Sequence, residues 1–186
     1  MIRLNPINRR KGLVAGIIGG TVGALAMRTY WMLLAPDAFR QIPNRHKPVE
    51  VAQKLPEIAP VVHPQRSYGE SATSVVGRAI YENVLGREVE SPAEQRRLRD
   101  AVLFGWGTIM GATYGATRTT DRWRDIAGGF FYGIRLFIGD KIAAAGLGLR
   151  PDPRSWSRRE HLVWLTGHWV YSFVTAQITR VLYRVL

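Results

Sequence analysis

The sequence contains no cysteine. A disulfide framework, a thiolate metal site, iron–sulfur ligation and a cysteine nucleophile are thereby excluded. Acidic residues are also scarce, with 14 Asp and Glu against 26 Lys and Arg, for a net charge of +12. Histidines number four. His46 and His63 sit among prolines, while His161 and His168 share a helix face but stand about 10 Å apart along its axis, too far to hold one metal. There is no phosphate-cradling glycine loop, no nucleophile elbow and no pair of carboxylates of the kind a proton-driven carrier needs. These absences leave an enzyme with no residues to work with. No cofactor or metal is expected; His168 is the one candidate axial ligand for a pigment or haem.

What is present has two compositions. A mean hydropathy of −0.09 over 186 residues averages four apolar runs with one polar stretch. Sixteen of the 19 glycines fall in the runs, and seven of the ten prolines fall between Pro36 and Pro92. The runs cover 12–35, 101–117, 126–149 and 162–179. About 20 apolar residues cross a bilayer, so the first and third are long enough and the other two are near the short limit. Four helices apolar all round would leave a soluble protein too little polar surface. The reading is an all-α, four-helix polytopic membrane protein forming a single membrane domain. Arg9, Arg10 and Lys11 before an apolar run, with Ala24-Leu25-Ala26 following, also fit a cleaved signal peptide; three spans would remain.

Lys and Arg close to the span ends set orientation. Arg3, Arg9, Arg10, Lys11, Arg118, Arg122, Arg124, Arg180 and Arg184 all fall on one side if the four runs alternate. Both termini are then cytoplasmic, in a bacterial inner membrane. The link 150–160 weakens this bias, because Arg150, Arg154, Arg158 and Arg159 lie on the other side as lipid-headgroup or partner contacts. Tyr30, Trp31, Trp164 and Trp169 are expected at the outer interface. The basic charge does not point to nucleic acid, since the cations flank apolar spans and do not interleave with stacking aromatics; anionic lipid accounts for them.

The insertion 36–99 splits in two. Prolines at 36, 43, 48, 56, 60 and 64 prevent a long helix or central strand, leaving an extended cover. From Ser71 to Leu85, Ala72, Val75, Val76, Ala79, Ile80 and Val84 recur at the helical period and predict an amphipathic helix. Ser91-Pro92-Ala93-Glu94 is a capping box with proline at the first helical position, starting a helix that runs into the second span.

Two patterns could carry function. Gly12, Gly16 and Gly20, then Gly107, Gly111 and Gly115, then Gly129 and Gly133 repeat every four residues, which aligns them on helix faces where backbones approach closely. Such faces serve packing within the chain or binding of another one. Arg28, Arg135, Asp140 and His168 fall inside spans, where charge is costly and points to function. They are read as one buried polar cluster, with Lys141 a further candidate.

The glycine-rich first span after Arg9-Arg10-Lys11, the Gly-Ala-Thr-Tyr-Gly of residues 111–115, the Leu-Gly-Leu-Arg-Pro of 147–151 and the Gly-His-Trp-Val-Tyr of 167–171 together give a resemblance. The chain resembles the bacterial YagU-type inner-membrane proteins over its four spans, with the insertion unmatched. The likeness implies a polytopic inner-membrane protein without assigned chemistry. The leading functional expectation is a non-enzymatic accessory or scaffolding subunit that packs through its glycine faces against itself or other membrane subunits. The alternative is a small transporter or channel using the polar residues of the first, third and fourth spans.

Overall fold

Helix formation outruns the apolar runs, because Arg, Lys, Glu and Gln at their edges are good helix formers. The computed structural model describes residues 8–34, 72–117, 122–146, 154 and 156–186. Every regular element among them is α-helical. The proline-rich 36–64, His46, His63, Arg150 and the 147–151 motif lie outside the described residues.

Helix α1 spans Arg9–Leu34 and begins three residues before the apolar run. Asn8 caps it: the Lys11 amide donates to Asn8 Oδ1 at 3.1 Å, satisfying one of the orphan donors at a helix start. Helix α2 covers Ala72–Leu85, as the periodicity predicts. Gly86 stops it with φ of 62°, the left-handed conformation that glycine adopts without penalty, and its amide donates to the Glu82 carbonyl at 3.0 Å.

Helix α3 runs unbroken over Pro92–Thr117. The Glu94 amide donates to Ser91 Oγ at 3.2 Å, but the Glu94 carboxylate takes the Glu90 amide at 3.1 Å in place of the expected Ser91 amide. Helix α4 spans Arg122–Gly146 and α5 Arg158–Val185. Both begin ahead of the apolar runs at 126 and 162. The start of α5 is a full capping box, with the Glu160 amide donating to Ser157 Oγ at 3.2 Å and the Ser157 amide to the Glu160 carboxylate at 2.6 Å.

The chain divides into two units, 1–33 with 104–137 and 164–186, and 34–103 with 138–163. In the first unit α1 lies antiparallel to both α3 and α5, and α4 antiparallel to α3 and α5. The interior holds Ala15, Ala24, Trp31, Tyr114, Tyr171 and Ala176, with His168, Ser172, Thr175 and Thr179. In the second unit Ala72, Val75 and Ala144 form a small buried cluster beside Val76.

One helix among the described residues, Arg9–Leu33, is long and apolar enough to cross a membrane. The other helices carry charges or polar side chains along their apolar lengths.

Candidate functional site

The glycines of α1 and α3 meet face to face. A Cβ at Gly12 would strike the Gly115 carbonyl, with the carbon at 2.9 Å. One at Gly16 would strike the Gly111 carbonyl, with the carbon at 3.0 Å, and one at Gly20 would meet the Gly107 carbonyl and lie 2.8 Å from Gly111 Cα. Three rungs at four-residue spacing therefore close an antiparallel seam in which backbone touches backbone. Thr21 and Thr108 share a hydroxyl–hydroxyl hydrogen bond of 2.8 Å beside it.

A second seam uses the adjoining side of α1. Gly19 abuts Thr179 and Gly23 abuts Thr175, with the Tyr171 carbonyl 2.8 Å from a Gly23 Cβ. On α4, Gly129 faces Ala176 and Phe173 at 3.3 and 3.4 Å, and Gly133 faces Ser172 and Trp169 at 2.6 Å each. Every glycine face singled out from sequence is thus occupied inside this chain. These faces are not where another chain would seat, because their empty volume is already filled by a neighbouring helix.

Hydrogen bonds tie the same helices. The Tyr171 hydroxyl donates to the Gly107 carbonyl at 2.6 Å, and the Tyr132 hydroxyl donates to the Met110 carbonyl at 2.6 Å. Tyr132 also lies against Tyr114, with centroids 4.9 Å apart.

Trp31 is 2% exposed. Its ring sits 2.5 Å from where a Gly167 Cβ would be and 4.4 Å, centroid to centroid, from Trp164. It is a core side chain, seated in the slot that the missing Gly167 side chain leaves. Aromatic spacing in the sequence could not have revealed that slot.

The buried polar cluster is corrected at Arg135, which is exposed. It projects from the opposite side of α4 to Gly133, beside the exposed Phe131. Arg28 is half-buried and His168 buried in the first unit. The His168 ring donates from Nδ1 to the Trp164 carbonyl at 2.8 Å and meets Phe137 edge-on at 5.8 Å. Asp140 is half-buried in the second unit.

The second unit holds contacts that the sequence reading missed. Lys141 donates from Nζ to His161 Nδ1 at 2.5 Å and lies 5.1 Å from the Trp156 ring centroid. His161 stacks on Trp156 at 5.8 Å. The 20-residue separation of Lys141 and His161 gives no sequence signal. Of the basic link, Arg154, Arg158 and Arg159 are all exposed. Where α2 meets α3, the Tyr81 hydroxyl donates to Glu94 Oε1 at 2.7 Å. This hydrogen bond, with the Glu90 amide, holds the Glu94 carboxyl below its ordinary 4.5 and pushes the Tyr81 phenol above its ordinary 10.0. No three His, Asp or Glu side chains among the described residues gather into a metal-binding group.

The burial pattern among the described residues departs from the usual one. Leu and Ile are ordinarily among the most buried residues, yet no Leu, Ile, Phe or Met is among the buried side chains of the described residues. Leu13, Ile17, Leu25, Trp106, Ile109 and Phe131 are exposed instead, around an interior that is mostly Gly, Ala, Ser and Thr beside Trp31, Tyr114, His168 and Tyr171.

The chain matches no protein-family model, no curated protein and no solved structure.

Proposed function

We propose that this chain is a non-enzymatic, multi-pass membrane protein, a small accessory or scaffolding subunit held by anionic lipid and by other membrane subunits. Helices α1, α3, α4 and α5 cross the bilayer of a bacterial inner membrane with both termini on the cytoplasmic side. The observation that carries this is the burial pattern: no Leu, Ile, Phe or Met is buried among the described residues, and the interior is mostly small residues beside Trp31, Tyr114 and Tyr171. Small residues favour helix contact in lipid, where the alternative environment for a Leu side chain is as apolar as a protein core. The resemblance to the YagU-type proteins points the same way.

The scaffolding part of the reading shifts from the glycine faces to the outside. Because those faces serve the bundle itself, a partner would use the exposed apolar surface and the arginines of the 150–160 link. The transporter alternative draws no support from the hydroxyl row of α5, since Thr175 and Thr179 pack against Gly23 and Gly19 and make a packing seam.

The absence of cysteine makes the test direct. Single cysteines introduced at Ile109, Phe131 and Glu88 in native membranes are treated with a charged maleimide. All three positions are exposed. Ile109→Cys and Phe131→Cys should resist until detergent is added, while Glu88→Cys reacts at once. Equal reactivity of all three would overturn the membrane reading. Gentle-detergent purification from the native membrane then tests the accessory role, which predicts a stoichiometric larger assembly; a lone chain overturns it.

A further inference from the structure

Among the apolar side chains exposed on α4, one charge stands out. Ala127, Phe131 and Arg135 follow one another at four-residue spacing, and all three are exposed, Phe131 by 62%. Four-residue spacing aligns them along one stripe. The other side of the same turns is taken, with Gly129 and Gly133 against α5. Arg135 is the end of a stripe that no part of the first unit covers. None of the described residues forms a hydrogen bond or ion pair with it.

If α4 crosses the bilayer, the position of Arg135 decides what can meet it. It lies about 13.5 Å along the axis from Ile126 and, at 1.5 Å per residue, about 9 Å from Lys141, which meets His161 at the outer end of the fourth apolar run. Either distance exceeds the reach of an extended arginine side chain, so snorkelling to a headgroup is out of range. A charge at that depth requires a partner within the protein or the complex. A second copy of this chain is a poor candidate. Two copies inserted in the same orientation and meeting about a two-fold axis present the same patch to each other, which sets Arg135 against Arg135.

We propose that the Ala127–Phe131–Arg135 stripe of α4 docks a transmembrane helix of a different protein, one that carries a carboxylate at mid-membrane depth and pairs it with the Arg135 guanidinium. Guanidinium and carboxylate match in a bidentate fork, the strongest of the charge-assisted pairings. Ala127 leaves room for the partner backbone, and Phe131 supplies apolar contact area one turn from the pair. The inference rests on the membrane reading above.

The probe is a synthetic 24-residue Leu/Ala helix with Lys at both ends and a central Asp, labelled with a fluorescence acceptor. The full-length protein carries a donor on a single introduced cysteine at Glu88, and both are reconstituted in phosphatidylcholine vesicles. Energy transfer is titrated against peptide, with otherwise identical peptides bearing Asn or Leu in place of Asp. The expected result is at least tenfold tighter association of the Asp peptide than of the Asn peptide, lost in Arg135→Leu. In Arg135→Glu the preference should invert toward a peptide with central Arg, a rescue that a merely misfolded variant would not give. Equal association of the Asp and Asn peptides, or an Asp preference that survives Arg135→Leu, overturns the proposal. Transfer between two labelled copies of the protein that is lost in Arg135→Leu also overturns it, since the stripe would then bind the chain itself. Vesicle flotation of the same samples separates this from failure of the membrane reading: protein that is released from floating vesicles by alkaline carbonate refutes the earlier reading, whereas retained protein without Asp preference refutes only this one.

Discussion

Adding one methyl group at Gly111 should damage the bundle far more than adding one at Gly139, although both are glycines in the interior of a helix. A Cβ at Gly111 would strike the Gly16 carbonyl and Gly20 Cα and would lie 2.7 Å from the Gly20 amide nitrogen. Ordinary contact begins at about 3.5 Å and the struck carbonyl oxygen and Cα lie closer still, so α1 and α3 must part by about 1 Å. The struck atoms are backbone and cannot rotate aside. A gap of that size forfeits a quarter to a half of the dispersion energy of each contact along the seam, and overpacking of this kind costs about 1–3 kcal/mol; with backbone on the other side, the upper end is expected. At Gly139 nothing lies within 4 Å of the added carbon, and alanine is the better helix former by about 0.5–1 kcal/mol. The assay is denaturation of purified protein in mixed micelles of rising SDS fraction, followed by helical circular dichroism and tryptophan fluorescence. Gly111→Ala should lower the midpoint and Gly139→Ala should hold or raise it. Gly16→Ala and Gly111→Ala combined should cost less than their sum, because one separation of the helices relieves both clashes. A Gly111→Ala protein as stable as wild type would refute the backbone-to-backbone seam.

Other perturbations read different contacts. Tyr171→Phe removes the 2.6 Å hydrogen bond to the Gly107 carbonyl and should lower stability in the same assay by about 0.6–1.7 kcal/mol, the range for polar contacts between membrane helices. Trp31→Ala empties the slot beside Gly167 and should cost about 3–5 kcal/mol, whereas an interfacial tryptophan would cost far less. The Glu94 carboxyl is held below its ordinary 4.5, so the stability it lends the α2–α3 contact is fully present above about pH 4.5 and is lost as pH falls through its lower folded value. Tyr81→Phe should move the Glu94 titration back toward 4.5, read by NMR of ¹³C-labelled glutamate, and an unmoved titration would show that the Tyr81 hydrogen bond does not set it. Arg135→Leu should make insertion of α4 into microsomal membranes more favourable by roughly 2.5–3.5 kcal/mol, measured by glycosylation of flanking acceptor sites; no change would place Arg135 outside the hydrocarbon.

The local signals in the sequence were legible where they were chemical. The period of Ala72, Val75, Val76 and Ala79 gave α2 to within a residue, and Ser91-Pro92 gave the start of α3. The start of α5 was equally written in Ser157-Arg158-Arg159-Glu160, an S-x-x-E box, but its arginines drew attention as a charged link. Helices α1 and α4 begin before the apolar runs at 12 and 126, because hydropathy marks where a segment turns apolar and a helix continues past that point through Arg and Lys. The glycine spacing was visible, but its partners were not. That Gly12 meets Gly115 and Gly20 meets Gly107 follows only from the antiparallel pairing of α1 with α3, and that pairing fills the glycine faces of both helices. Arg135 falls inside an apolar run by sequence, but a helix wheel gives only relative faces, and Gly129 and Gly133 packing on α5 fix which face turns inward.

The same packing bears on why such a fold would need a bilayer. A water-soluble bundle is held by removing large apolar side chains from water, about 1.5–3 kcal/mol for each Leu or Ile. Here, apart from Trp31, Tyr114 and Tyr171, the residues brought inside the first unit are mostly glycine, alanine, serine and threonine, which carry little apolar area, while Leu25, Ile109 and Phe131 stay at least half exposed. Glycine in a helix also costs about 0.5–1 kcal/mol of chain entropy relative to alanine, multiplied along α1 and α3. In water these terms would leave helix association weakly driven against the ordering of the chain, which favours the proposed membrane location. In a bilayer the balance reverses, because each helix is already formed to satisfy its own backbone, lipid covers the aliphatic surface, and only the close approach permitted at Gly12, Gly16 and Gly20 is left to decide which helices pair. Stability of the purified protein should therefore follow the lipid or detergent around it more steeply than salt or temperature.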